Sequence, residues 1–263
     1  ADECGAYVGP NDSITCDTTT YTTGPNDDIR YVGVDGLVLT INDGGLVVDT
    51  ATPAIRVIGD TTSSNDIAII GTNVGSITTT GNSAGALVAR NDGLGNATAT
   101  MAGGSVQTSG SNSEGLIANV ANAGSLGTAT ATLTNGTIET SGTSAQGVIA
   151  KNQGLGDSVA TMTGGSVQTV GDFAEGVFSN ISNAANTAAS TATMTGGTIN
   201  TTGEKGYGVY ARTRGFGEAI ATLEGGAITT AGVDAYGVYS RISNAASVAV
   251  SKVTVTGADS VIE

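Results

Sequence analysis

Six segments of one kind recur along this chain at fixed distances: GSITTTG begins at 75, GSVQTSG at 104, GTIETSG at 136, GSVQTVG at 165, GTINTTG at 197 and GAITTAG at 226. Successive starts differ by 29, 32, 29, 32 and 29 residues. Such a period marks an array of like units, each of which buries its apolar face only against its neighbours. A second segment keeps step with the first: ALVAR at 86, GLIAN at 115, GVIAK at 147, GVFSN at 176, GVYAR at 208 and GVYSR at 237. A third does the same, ending at Met101, Leu133, Met162, Met194, Leu223 and Val255. All three alternate apolar and polar residues, are rich in Val, Ile and Thr, and are bounded by Gly, Asn and Ser, which is the chemistry of short strands.

The spacing says how the strands are arranged. From the Thr that ends each first segment (79, 108, 140, 169, 201, 230) to the Leu or Val that opens the second (87, 116, 148, 177, 209, 238) the distance is always 8. From the third segment to the apolar residue of the next first segment, as from Met101 to Val106, it is always 5. The link from second to third alternates between 14 residues, as from Leu87 to Met101, and 17, as from Leu116 to Leu133. Two fixed corners and one tolerant corner fit a coil of three strands, each stacked in register on its equivalent one turn away, because a one-residue slip would turn every apolar column to the wrong face. Equivalent strands run the same way, so three parallel sheets result, and the handedness rule for parallel crossovers predicts a right-handed coil. Less regular strand segments at 36 (GLVLT), 45 (GLVV), 54 (AIRVI) and 66 (DIAII) add further turns. The expected fold is an all-β, right-handed parallel β-helix of about eight or nine coils with alternating 29- and 32-residue rungs. Residues 1–74 would form an N-terminal cap and irregular first coils, and 75–263 the regular repeats of the same continuous domain.

Composition narrows function. The 263 residues include 41 Gly, no His and no Trp, with a formal net charge of −14. An acidic surface repels nucleic acid and anionic membranes, and no apolar run approaches the roughly 20 residues that cross a bilayer. The start ADECG reads as a mature end left by signal-peptide cleavage. Cys4 and Cys16, the two cysteines, are expected to form a structural disulfide that pins the terminus and contributes ~2–3 kcal/mol; two free thiols are the alternative.

Units of the form GG(S/T)(I/V)xTxG, then YGVY(A/S), then a loop and a TATM-like strand resemble the passenger repeats of autotransporters, the type V secreted proteins of Gram-negative bacteria. The likeness covers residues 75 to about 257, and the Cys pair with GLVLTINDGGLVV resembles the start of such passengers. It implies a β-helix exported to the bacterial cell surface and serving adhesion or self-association, either released or held at the outer membrane by a translocator that the stretch ending in GADSVIE lacks.

Alternation in the second strand turns Leu87, Leu116, Val148, Val177, Val209 and Val238 inward and Val88, Ile117, Ile149, Phe178, Tyr210 and Tyr239 outward. Beside this apolar stripe runs a column of Arg90, Asn119, Lys151, Asn180, Arg212 and Arg241, with Tyr207 and Tyr236 just ahead of the strand. Tyrosine near arginine suits protein or sugar recognition, so the candidate interaction face is Phe178, Tyr207, Tyr210, Arg212, Tyr236, Tyr239 and Arg241. The competing expectation is that the variable corner folds over the stripe and hides it. The third strand presents an outer Thr ladder (100, 132, 161, 193, 222, 254), a pattern that could order ice, but its flanking column includes Val159, Ile220 and Lys252, so β-propensity is the simpler account. A polysaccharide-degrading enzyme would need clustered carboxylates. Here Glu114 and Glu175 share a column interrupted by Gln146, while Glu139, Asp172, Glu204 and Glu224 are scattered. No catalytic, metal or cofactor residue is assigned. The expectation is a non-enzymatic adhesive β-helix whose partner is another copy, a cell-surface protein or a glycan. A filament subunit joined through open solenoid ends and a carbohydrate-binding module are the alternatives.

Overall fold

A computed structural model describes residues 4–17, 28–257 and 260–263. They form 25 strands and no helix, so nothing among them is a helix long and apolar enough to cross a membrane. The strands wind into a three-sheet parallel β-solenoid of about eight turns, as the repeat predicts. The first sheet stacks eight strands from Val47–Thr50 to Ser260–Ile262, the second eight from Ile29–Val34 to Val238–Ile242, and the third nine from Asp12–Cys16 to Ser251–Val255. Two of these strands, Asp12–Cys16 and Ile29–Val34, had no counterpart in the sequence reading.

The inward columns are those the alternation marks. In the second sheet Leu87, Leu116, Val148, Val177 and Val209 are fully buried, each with Ala or Ser two places on. In the third sheet Ala97, Ala99 and Met101 stack on Ala129, Ala131 and Leu133, and so onward. From residue 76 to the end every described strand pairs with its neighbours without a slip. Such a narrow, close-packed interior leaves no room for a strand shifted by one residue.

The corners explain the spacings. Where the first sheet turns into the second, Thr79, Thr108, Thr140, Thr169 and Thr201 each turn their hydroxyl inward to donate to the carbonyl five residues on, that of Ala84, Ser113, Ala145, Ala174 and Gly206. A left-handed residue, Ser83, Asn112, Ser144, Phe173, Lys205 or Asp234, sits at the same place in each such corner after Thr79. This bonded turn has one length, hence the constant 8.

The tolerant corner, from second to third sheet, comes in two designs. In the short form the last inward position of the strand is polar and ties the turn itself: Asn91 and Asn152 each donate to two loop carbonyls and accept from Gly93 and Gly154, and the Thr213 hydroxyl accepts from Gly215. In the long form that position is apolar (Val120, Ile181) and buried, and the tie moves into the loop. Ser125 accepts from Gly127 and donates to Leu94, and Asn186 donates to Gly154 and Gly156. The three extra residues supply a polar side chain where the strand end gives it up.

Candidate functional site

The outward face of the second sheet carries three vertical columns. Along the middle run Val88, Ile117, Ile149, Phe178, Tyr210 and Tyr239, partners in register. Four of them, Ile117, Ile149, Phe178 and Tyr210, form an apolar cluster separate from the shaft core, with Val88, Tyr207 and Tyr239 packed against it. Tyr210 is only 4% exposed although it faces away from the shaft.

Neighbours in its own sheet close over this stripe. Among the described residues, no apolar side chain of the variable corner belongs to the cluster, and Leu94, Leu126 and Phe216 in those corners stand exposed. On one side of the stripe lie Glu114, Gln146, Glu175, Tyr207 and Tyr236; on the other lie Asn119, Lys151, Asn180, Arg212 and Arg241. Lys151 reaches across it, its Nζ donating to Glu114 Oε1 at 2.5 Å. Its methylene stem covers apolar surface while the charge finds a partner. Arg212 donates to Asn180 Oδ1 at 3.0 Å and holds its guanidinium 5.3 Å from the Phe178 ring centroid, a cation–π distance.

Beneath these polar edges, Glu175 is 6% exposed. Gln146 Nε2 donates to its Oε2 at 2.8 Å and to the Phe173 carbonyl at 3.1 Å. Burial pushes the Glu175 carboxyl up to about 7; the Gln146 hydrogen bond and the charges of Arg212 and Lys151 oppose the shift without cancelling it. Burial likewise pushes the Tyr210 hydroxyl up to about 12.

Toward the later turns the face becomes aromatic. Phe178 stacks on Tyr210 at 4.8 Å and 3°, Tyr210 on Tyr239 at 5.1 Å and 23°, and Tyr207 on Tyr236 at 5.7 Å and 17°. Tyr207 also meets Tyr210 edge-on at 5.0 Å. The four tyrosines are thus a grid of two columns and two turns. Tyr236 is 52% exposed, and Arg241 is exposed on the other side of the stripe. The seven residues of the expected face therefore lie together, but Phe178 and Tyr210 are its floor, whereas Tyr236 and Arg241 are its accessible part.

Charge follows the same gradient. Of the nine Lys and Arg residues, Lys205, Arg212, Arg214, Arg241 and Lys252 fall in the last two turns, although the chain as a whole carries −14. The structure also adds a residue the sequence reading passed over. Phe173, at the corner leading into this face, is 45% exposed with φ of 55°. A bulky side chain in the left-handed region is strained, and the other members of its column are Ser, Asn, Lys and Asp. Lys205 of the next turn sits 5.4 Å from its ring centroid and pairs with Glu204 and, at 3.8 Å, with Asp234. Its signal in the sequence was a lone aromatic in a polar corner column.

The Thr ladder of the third sheet is in place, half buried and flanked as expected. On the first sheet a shallow recess is lined by Gln107, Glu139, Gln168 and Val170, with Gln107 donating to Glu139 at 3.3 Å. Among the described residues no group of three or more acids, Cys or His is placed to hold a metal ion. Compared with protein families, with characterised proteins and with solved structures, the chain matches none.

Proposed function

We propose that the chain is a non-enzymatic, adhesive β-solenoid working at the cell surface, whose rigid shaft presents the tyrosine-rich end of the second sheet to a partner: another copy, a cell-surface protein or a glycan. The observation that carries this reading is the contrast among the three flanks. Outward columns of the regular third sheet are Thr, Val and Ile until Lys252, and those of the regular first sheet are mostly Ser, Thr, Gln and Asn. The second sheet alone concentrates four tyrosines and two arginines on adjoining turns. Tyr and Arg are the side chains that most often dominate binding energy at interfaces, because they bury large area with little loss of rotamer freedom.

The test is the double variant Tyr236→Ser with Arg241→Ser, which removes accessible groups and leaves the buried floor of Phe178 and Tyr210 in place. Cells displaying the variant should clump less, or adhere less to a coated surface, while the unfolding free energy stays within about 0.5 kcal/mol of the parent. Unchanged clumping and adhesion would remove this face from consideration.

A further inference from the structure

One corner of the solenoid differs chemically from its equivalents. Where the third sheet turns into the first, the residue before the positive-φ glycine is Gly103, Gly164, Gly196 or Gly225 in four turns and Val74 or Thr256 in two others, but in one turn it is Asn135. Asn135 is exposed, and Gly136 after it has φ of 100°. The Gly136 N–H stands outside the strand ladder, which resumes one residue later with Thr137 N donating to Gly104 O. It points instead at the preceding side chain, donating to Asn135 Oδ1 at 2.8 Å. That contact also draws Asn135 Cγ, the carbon bonded to Oδ1, toward the Gly136 nitrogen. Three things that ordinarily protect an asparagine are therefore missing: a Cβ on the next residue to obstruct the approach, a ladder bond to hold the next nitrogen, and cover from solvent.

We propose that Asn135 is a site of spontaneous covalent modification, deamidation through a cyclic imide. The Gly136 nitrogen gives its proton to solvent base and forms a bond to Asn135 Cγ. The bond from Cγ to the side-chain nitrogen breaks, and that nitrogen leaves with a returned proton as ammonia. Water then opens the five-membered ring at either carbonyl, yielding aspartate, or isoaspartate in which the backbone runs through the side-chain carbon. Water is the only co-reactant, and no electrons change hands. Holding nitrogen and carbon together beforehand removes much of the entropic barrier to closing the ring.

The product matters to the fold. Either form adds a negative charge at the entry to the strand Thr137–Thr140, which carries Glu139. The isoaspartate form also lengthens the backbone where there is no space to take it up: a Cβ on Gly136 would already lie 2.8 Å from both Gly104 O and Met101 Cε. The start of that strand must shift, loosening its pairing with the strands above and below.

The experiment incubates the folded chain in mildly alkaline buffer and follows each asparagine by peptide mapping, with isoaspartate scored by a methyltransferase assay. The peptide holding Asn135 should exchange NH₂ for OH by mass, appear in two chromatographic forms, and convert several-fold faster than Asn112 and Asn200, which are exposed but precede Ser113 and Thr201. Asn135→Gly, the residue four other turns use, should fold with an unchanged midpoint and lose the reaction at this corner. Conversion no faster than at Asn112, or conversion several-fold slower in the folded chain than in the same chain unfolded in urea, would overturn the proposal.

Discussion

The first turns, up to residue 74, and the regular turns after them solve the same problem differently. In the first turns the shaft is filled by Ile29, Leu37, Leu39, Ile41, Ile55, Ile67 and Ile69, all buried. Pairing there slips between Val32 and Val34 and again between Ile41 and Asn42. The segment is then tied at its start: Cys4 bonds Cys16, the Tyr31 hydroxyl donates to Gly5 O at 2.8 Å, and Asp35 N donates to the Tyr7 hydroxyl at 2.8 Å. In the regular turns the third-sheet columns shrink to Ala97, Ala99, Ala129, Ala131, Ala160 and Ala192, and register is unbroken. Large side chains can interdigitate around an irregular backbone, whereas a sheet face of alanines packs only if each sits on the one below. Bulk plus cross-links substitutes for repetition at one end; repetition substitutes for bulk at the other.

The strongest way to break this comparison is to exchange the two interiors. Leu39→Ala should cost about 2–5 kcal/mol by opening a cavity, and Ala131→Leu about 1–3 kcal/mol by overpacking. Because each turn contacts only its neighbours, hydrogen exchange should rise mainly in turns adjoining the change; a uniform rise would mean that the shaft melts as one unit.

Next in size is a pH effect confined to the regular turns. Glu175 has a folded pKa of about 7 against an ordinary value of 4.5, so the protonated form favours folding. Its stabilisation is complete below 4.5 and is lost as pH rises through 7, to an extent on the order of 3 kcal/mol. Glu175→Gln should flatten the difference in stability between pH 4.5 and pH 7 and raise the midpoint at neutral pH. A parent and variant with parallel pH profiles would show that Glu175 is solvated.

Removing the disulfide by Cys4→Ser with Cys16→Ser should cost about 2–3 kcal/mol and loosen residues 29–42 while leaving 160–200 unchanged, as read by exchange. The smallest effect sharpens the contrast from the other side. Phe173→Asn should relieve the left-handed strain and stabilise the regular turns by up to about 1 kcal/mol. If surface adhesion also falls, Phe173 belongs to the contact face.

Much of this was legible in the residues. Strand positions after 75, their parallel register, the inward Leu and Val columns and the outward tyrosines all follow from the 29/32 period and from alternation. Less could be read before 74, where Asp12–Cys16 and Ile29–Val34 lack the repeat's spacing. At the candidate face the sequence placed the seven residues on one flank but left their accessibility open. Accessibility there depends on Lys151 and Arg212 reaching to partners 37 and 32 residues away, on Arg212 lying over Phe178 and on Tyr207 and Tyr239 packing against Tyr210, and a column diagram carries no information about how far a side chain leans.

By itself the sequence determined the architecture, because a period fixes register and register fixes which side of a strand is wet. Only the tertiary structure decided that an exposed-looking stripe has a floor and a rim, that Glu175 is buried on an outer surface, and why two corner lengths alternate. Those outcomes rest on angles and reach between neighbouring turns, where a few ångströms separate an ion pair from a solvated charge and a closed loop from an open one.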